Sequence, residues 1–194
     1  MSVARSDVVA EDASRQLAAD LDGAGFWRGQ PAADRDRFRD AVAEGGSPFS
    51  GLVGWGWLAD GEALADGGVQ QLLEEMAPAL AERGLDLEVQ TIESPWHEGR
   101  GGYKIRINGI DLDLYRFDPN EPNVPLAEDP WTDCTLKPLA IINRLLAESG
   151  AREQVAVISP GANDGMVYLL PPEILSVLAD SRALAPEDRP VVPA

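Results

Sequence analysis

The feature that most constrains the fold is a pair of alternating segments, residues 103–107 and 110–114, joined by Asn108-Gly109. Asn-Gly is favoured in two-residue type I′ turns, so the segments predict an antiparallel hairpin. A loop of this length also determines which residues face each other across the two strands. It sets Ile107 opposite Ile110, Ile105 opposite Leu112 and Tyr103 opposite Leu114 on one face, and Arg106 opposite Asp111 and Lys104 opposite Asp113 on the other. Apolar pairs and opposite charges therefore support the same pairing.

Apolar periodicity predicts the remaining elements. Helices are expected over 8–22 with Gly23 as the stop, from Pro31 to about residue 44, over 69–80 with a bend near Pro78, over 136–149, and briefly after Pro172. Strands are expected over 85–93, 103–107, 110–116, 154–159 and 166–170. Together they predict an α+β protein with a mostly antiparallel sheet of about five strands, helices packed on it and an N-terminal helical extension. The order of the strands stays open.

The length of the chain, 194 residues, favours one domain. We expect a single domain over 1–184, made of a helical N-terminal part (1–48) and an α+β core (49–184). The last segment, 185–194, contains Pro186, Pro190 and Pro193 and is predicted to be a flexible tail.

The charge balance is the most unusual bulk property. The chain has 33 Asp and Glu against 16 Lys and Arg, a formal net charge of -17. Such a field repels nucleic acid and anionic membranes and attracts basic proteins, although it also keeps a protein in solution. The chain has one cysteine, Cys134, and its N-terminus lacks a signal-peptide pattern, so we expect a cytoplasmic location. The preference for Arg over Lys is typical of a GC-rich bacterial genome.

No motif in the chain names a chemistry. One cysteine and one histidine cannot supply the usual ligands of a zinc site, and the acidic residues do not follow the EF-hand spacing. No phosphate-binding glycine motif or nucleophile elbow is present. Cys134 and His97 would form a thiolate and base pair only if they met, and the spacing does not predict that they do. We therefore expect no cofactor and no metal, and favour a noncatalytic protein while leaving an enzymatic role open.

Two segments could carry function. Residues 118–133 hold four prolines and predict a long loop, and its acidic side chains with one tryptophan form a candidate partner-binding surface: Asp118, Glu121, Glu128, Asp129, Trp131 and Asp133. The alternative places Trp131 in the core. The second candidate is a ligand pocket lined by Trp55, Trp57, Trp96 and Tyr103. Its alternative is that the tryptophans pin a glycine-rich segment, 45–68, onto the core.

These features lead to three hypotheses of function. The first is an acidic protein-binding module that captures a basic protein; a small acidic protein without catalytic motifs is similar in this respect to many immunity proteins, which would imply an inhibitor of a basic toxin. The second is a small-molecule binding protein, or an enzyme of an accessory biosynthetic pathway, with a Trp-lined pocket. The third is a structural role, which would leave a flat apolar patch. Nucleic acid and membranes are not expected partners, and the oligomeric state stays open.

Overall fold

The computed structural model describes residues 3–49, 56–95, 102–117 and 127–194, the first seven of these by their backbone alone. Within these residues the chain is an α+β protein with N-terminal helices, which confirms the predicted class. The chain contacts divide it into two compact units. The first unit comprises Met1–Trp55 and Leu170–Pro190, and the second comprises Gly56–Leu169 and Val191–Ala194.

The first unit is helical. It contains α1 (Val3–Ala24), α2 (Ala32–Ala43), α6 (Pro172–Asp180) and a short 3-10 turn (Pro186–Asp188). Helix α1 passes through the predicted stop at Gly23 and ends before Gly25, whose positive φ of 82° is the backbone conformation that closes a helix. Pro31 stands directly before α2, as its fixed φ favours. The core of this unit is formed by buried side chains on all three helices and the α1–α2 connection: Leu17, Leu21, Phe26, Trp27, Val42, Ile174, Leu175 and Leu178.

The predicted hairpin is present as β3 (Gly102–Ile107) and β4 (Ile110–Arg116), with β2 (Val89–Glu93) on the other side of β3. Ile107 faces Ile110, Ile105 faces Leu112 and Arg106 faces Asp111, as predicted. The prediction is wrong at Tyr103, which faces Tyr115 instead of Leu114 because a bulge shifts the register between Tyr103 and Lys104.

The predicted single sheet is two sheets. The order of the first is β2-β3-β4, and that of the second is β1-β6-β5, with β1 at Gly56–Leu58, β6 at Met166–Leu170 and β5 at Gln154–Ile158. Strand β1 was not predicted because it has three residues and lies in a glycine-rich segment without alternation. It runs antiparallel to β6, and Gly56 lies so close to Tyr168 that a side chain there would collide with the ring.

Two long helices complete the second unit. A short helix, α3 (Gly61–Ala63), continues through a wide π-helical turn (Leu64–Gly68) into α4 (Val69–Ala81), and α5 spans Pro130–Ser149. Helix α5 begins well before the predicted start near Leu136, so the loop prediction is wrong for residues 130–133. Asp129 caps the helix by accepting a hydrogen bond from the Thr132 N–H at 3.1 Å, and Pro130 occupies the first turn.

Both helices pack with the two sheets in one apolar core. Fully buried members include Leu73 and Met76 of α4, Leu139 and Ile142 of α5, and Ile105 of β3. Two tyrosines fasten the wide turn and the start of α4 to the hairpin. The Tyr103 hydroxyl accepts a hydrogen bond from the Val69 N–H at 3.1 Å, and the Tyr115 hydroxyl donates to the Ala65 carbonyl at 2.7 Å.

The predicted tail, 185–194, has defined partners in the structure. Val191 exchanges two hydrogen bonds of 2.8 Å with Val157 of β5, and the Pro193 carbonyl accepts one from the Asn143 side chain at 2.9 Å. The proline content of this segment did not indicate these contacts, because they depend on a strand and a helix distant in sequence.

Candidate functional site

The predicted acidic surface contains the N-terminal end of α5. Glu128 and Asp129 are exposed directly before the helix, and Trp131 in its first turn keeps 40% of its surface exposed. The interpretation that buries Trp131 in the core is therefore wrong. The hydrogen bonds that Asp129 accepts from the Thr132 side chain and backbone lower the pKa of its carboxyl, so it is ionised when it caps the helix. Asp118 and Glu121 lie outside the described residues.

Asp133 has a different environment from these residues. Its carboxylate lies 2.9 Å from the Lys137 ammonium, which also donates to the Leu114 carbonyl of β4 at 3.1 Å. Asp133 therefore helps hold α5 against the hairpin, and its charge is balanced by that lysine.

Two further segments meet the start of α5 through close glycine contacts. The backbone of Gly161, in the β5–β6 loop, touches Thr132, and Gly61 of α3 touches Gly161 so closely that a Cβ at either glycine would collide with its neighbour. These segments also contain Asp60 and the exposed Asp164. Asp60 caps α3 by accepting a hydrogen bond from the Ala63 N–H at 2.9 Å. We call the resulting surface the acidic edge: Asp60, Glu62, Glu128, Asp129, Trp131, Asp133 and Asp164.

The composition of this edge was only partly predictable. The β5–β6 loop could be predicted as a turn, and Asp60 and Glu62 are acidic neighbours in sequence, but their proximity to α5 depends on long-range packing. The sequence signals that could have indicated it are Gly61 and Gly161, because glycine permits such close backbone approach.

The chemistry of the acidic edge is that of carboxylates and one indole, which attract cationic groups. Within residues 59–62, 128–137 and 159–165 the single basic residue is Lys137, which is already paired with Asp133. Among the described residues no three His, Cys, Asp or Glu side chains form a group that could hold a metal ion. An exposed indole beside carboxylates can contact the alkyl chain or the charged head of a Lys or Arg.

Cys134 follows Asp133 in α5 but points into the core. Burial, followed by the nearby Asp133 charge, raises the pKa of its thiol to about 12, so it is a neutral thiol at physiological pH. His97, its hypothetical base, lies outside the described residues. The structure thus gives Cys134 the surroundings of a core residue.

The predicted Trp-lined pocket is represented by two of its four residues, since Trp55 and Trp96 lie outside the described part. Trp57 packs against the core and its indole N–H donates to the Glu75 carbonyl at 3.1 Å. Tyr103 is fully buried with its ring edge-to-face on Tyr115 at a centroid distance of 6.0 Å. The Trp57 indole N–H and the Tyr103 hydroxyl are therefore both hydrogen-bonded within the protein.

The first unit, by contrast, has a groove of about 950 Å³ between α1 and α6. Its lining combines apolar, carboxylate and hydroxyl side chains: Ala10, Asp12, Ala13, Gln16, Leu17, Asp20, Ser176, Val177, Asp180, Ser181 and Arg182. The sequence predicted a helix over 8–22 but not the groove, because the second wall of the groove comes from α6 at the other end of the chain.

Within the described residues, none of the helices is both long enough and apolar enough to cross a lipid bilayer. Comparison with protein-family models, with curated proteins and with solved structures found no match to this chain, so its function has to be inferred from its own residues.

Proposed function

We propose that this chain is a noncatalytic binding protein whose acidic edge captures a basic partner protein. The observation that supports this most is the half-exposed Trp131, which lies in a surface rich in carboxylates whose one lysine is already paired. Tryptophan is a frequent anchor of protein interfaces, because it buries a large area at a small cost in side-chain entropy.

The charge of the chain supports the same proposal. A net charge of -17 raises the rate at which a basic protein meets this one, and the local carboxylates then discriminate against acidic competitors. The edge is also held in place before binding, since Asp60 and Asp129 cap helices and the Gly61–Gly161 contact leaves no space between segments. A preorganised surface loses less entropy on binding. An immunity-type inhibitor of a basic toxin is one protein of this kind.

A pull-down from lysate of the source cells, analysed by mass spectrometry, tests the proposal if it includes matched variants. The test variant is E128Q/D129N/D164N combined with W131A. Asparagine caps helices about as well as aspartate, so D129N removes the charge while keeping the cap. The control variant, D34N/D36N/D40N in α2, changes the net charge by the same three units as the carboxylate substitutions.

The expected result is a basic protein that is retained at low salt by the wild type and the α2 control but lost from the test variant and at high salt. A partner retained equally by all three proteins, or the absence of any specific partner, would contradict the acidic edge as the binding surface.

A small-molecule binding function has one observation in its favour, the groove of about 950 Å³ between α1 and α6. Ligand sites of this size enclose most of a small ligand with a few converging polar groups. Here Asp12, Gln16 and Asp20 are exposed along one helix face, so the groove is better suited to a macromolecular ligand. We therefore rank this function second.

A further inference from the structure

The groove between α1 and α6 has two polar rims and an apolar floor. Asp12, Gln16 and Asp20 are spaced by four residues and form one rim along α1, and Ser176 and Asp180 form the other along α6. The floor is made of small and apolar side chains, Ala13 and the buried Leu17 of α1 and Val177 of α6. An apolar stripe bounded on both sides by carboxylates is therefore open to solvent.

The carboxylates of the rims retain capacity for further hydrogen bonds. Asp20 accepts from the Gln16 amide at 2.8 Å and Asp180 from the Ser176 hydroxyl at 3.4 Å, both neutral donors. Among the described residues only Asp12 of the three rim aspartates is ion-paired, with Arg15 at 3.2 Å, and a carboxylate has about four acceptor positions. Arg182 is the single basic residue among the described lining residues. The groove thus has an excess of negative charge.

We propose that this groove binds an amphipathic helix of a partner protein, with the apolar stripe of that helix on the floor and its Lys or Arg residues along the two rims. The rim from Asp12 to Asp20 is about 12 Å long, or roughly eight residues of a helix. A third helix packed on a helix pair buries a stripe of this width, and long basic side chains at its flanks reach carboxylates beside it.

Charge and chain continuity argue against two other occupants. A second copy of α1 would bring Glu11, Asp12, Asp20 and Asp22 against the same rims, and like charges at such distances repel. Residues 3–9, directly before the groove, do not fold back into it, because they continue the same helix. A basic helix from another protein satisfies both constraints.

This proposal shares with the proposed function only the basic character of the partner. The groove belongs to the first unit and the acidic edge to the second, so each can be tested by itself.

The direct test is titration of the full chain with a synthetic helical peptide of about 18 residues, long enough to fold on binding. The peptide carries Leu at helical spacing on one face and Lys elsewhere, and two control peptides carry Glu in place of Lys or the same residues in scrambled order. Calorimetry measures the affinity and amide chemical shifts locate the binding surface. The protein variants are the rim variant D12N/D20N/D180N, the charge-matched control D34N/D36N/D40N, and V177K. V177K places a positive charge on the floor of the groove, which repels the Lys residues of the peptide.

We expect the Leu/Lys peptide to bind and to shift the amides of α1 and α6, with affinity reduced about tenfold or more by D12N/D20N/D180N and by V177K. The α2 control should change the affinity by less than about threefold. The Glu peptide should not bind, and the scrambled peptide, which keeps the Lys residues, should bind at least about tenfold more weakly than the Leu/Lys peptide.

Equal weakening by the rim and α2 variants would overturn the proposal, since it would identify unspecific attraction to a protein of net charge -17. Shifts confined to the second unit, or tight binding of the scrambled peptide, would also overturn it. The acidic-edge variant, E128Q/D129N/D164N combined with W131A, distinguishes the two proposals. It should bind the peptide with wild-type affinity even if it loses its protein partner in the pull-down. Conversely, if the groove does not bind the peptide, the pull-down result is unaffected.

Discussion

At the scale of single residues, Asp111 has the strongest electrostatic role in the hairpin. Its carboxylate lies 2.6 Å from the Arg106 guanidinium and 2.9 Å from the Lys104 ammonium. The predicted position of Lys104 opposite Asp113 is confirmed by the strand register, but the Lys104 ammonium pairs with the diagonal neighbour, Asp111. Asp113 pairs with Arg116 at 3.2 Å instead. The hydrogen bonds from Arg106 and Lys104 lower the pKa of Asp111 from 3.8 to about 2.

The lowered pKa of Asp111 predicts how the effect of D111N on the free energy of unfolding depends on pH. A carboxyl whose pKa is lower in the folded state stabilises the fold above its unfolded pKa, and that contribution is lost as the pH falls from about 4 to 2. We expect D111N to lower the free energy of unfolding at pH 7, with the difference from wild type disappearing near pH 2. Urea unfolding across this range measures it. D113N removes a single exposed ion pair and should lower the free energy of unfolding by less. An equal decrease for D111N and D113N would contradict the stronger electrostatic role of Asp111.

Cys134 provides a residue-scale test of the noncatalytic interpretation. Burial raises its pKa from 9.0 to about 12 and the side chain is 1% exposed, so the native thiol is both protonated and inaccessible. We expect the folded protein to react with iodoacetamide at pH 8 at least about 100-fold more slowly than the protein in urea, where the thiol regains its ordinary pKa. Comparable rates in the two conditions would mean that the thiolate is accessible in the native state.

At the scale of secondary structure elements, several sheet edges are covered by side chains of helices. The side-chain amide oxygen of Gln70 accepts a hydrogen bond from the Thr91 N–H of β2 at 2.7 Å, and the Lys137 ammonium donates to the Leu114 backbone carbonyl of β4. Asn143 of α5 both accepts from the Val155 N–H of β5 at 2.6 Å and donates to its carbonyl at 3.0 Å. Open edges invite pairing with other chains, so these contacts also oppose aggregation.

Asn143 is the most informative of the three to change. In N143L the Val155 N–H and carbonyl lose their partner in a half-buried site, and the Pro193 carbonyl loses one as well. A fully buried polar group left unpaired costs about 1–3 kcal/mol, but these three groups are only partly buried, so their total cost is smaller. We expect the free energy of unfolding to fall by about 2–4 kcal/mol in all and light scattering to increase. N143Q is the matched control, because it changes the length of the side chain but keeps the amide group. An unchanged unfolding midpoint for N143L would show that the β5 edge does not need this residue.

Local signals explain what could be predicted of these elements. Asn108 has a φ of 46°, and its side chain bonds to the Glu88 N–H at 2.7 Å and to the Asp86 carbonyl at 2.8 Å. The turn residue that predicted the hairpin therefore also attaches the segment directly before β2. The bulge at Tyr103 was not predictable, because residues 103–107 and 110–114 alternate without any interruption that would mark it. The candidate site was predictable as acidic residues around Trp131, whereas its convergence with Gly61 and Gly161 arises only from packing.

At the scale of the whole molecule, the two compact units raise the question of cooperativity. The prediction of a single domain over 1–184 concerns folding behaviour, which a division of contacts does not decide. It stays a prediction, and coincident unfolding of a probe in each unit would support it. Trp27, fully buried in the first unit, and Cys134 in the second are natural probes, the former by fluorine-labelled tryptophan and the latter by thiol reactivity.

The net charge of -17 leads to a prediction about salt that belongs to the molecule as a whole. Self-repulsion among excess carboxylates destabilises the compact state, and salt screens it over about 10 Å at 0.1 M. Salt also weakens the ion pairs, but those between exposed side chains, such as Arg15 with Glu11 at 2.9 Å, contribute less than about 1 kcal/mol each. We therefore expect the unfolding temperature to rise by a few degrees, about 2–5 °C, between 20 and 300 mM NaCl.

The same salt series separates this effect from specific binding of a cation. Sodium and potassium chloride should act alike, because screening depends on ionic strength and not on the identity of the ion. The charge-reduced variant D34N/D36N/D40N should show a smaller rise than the wild type. A fall in unfolding temperature with salt would mean that the ion pairs outweigh the repulsion, and the long-range attraction that supports capture of a basic partner would then be weaker than the net charge implies.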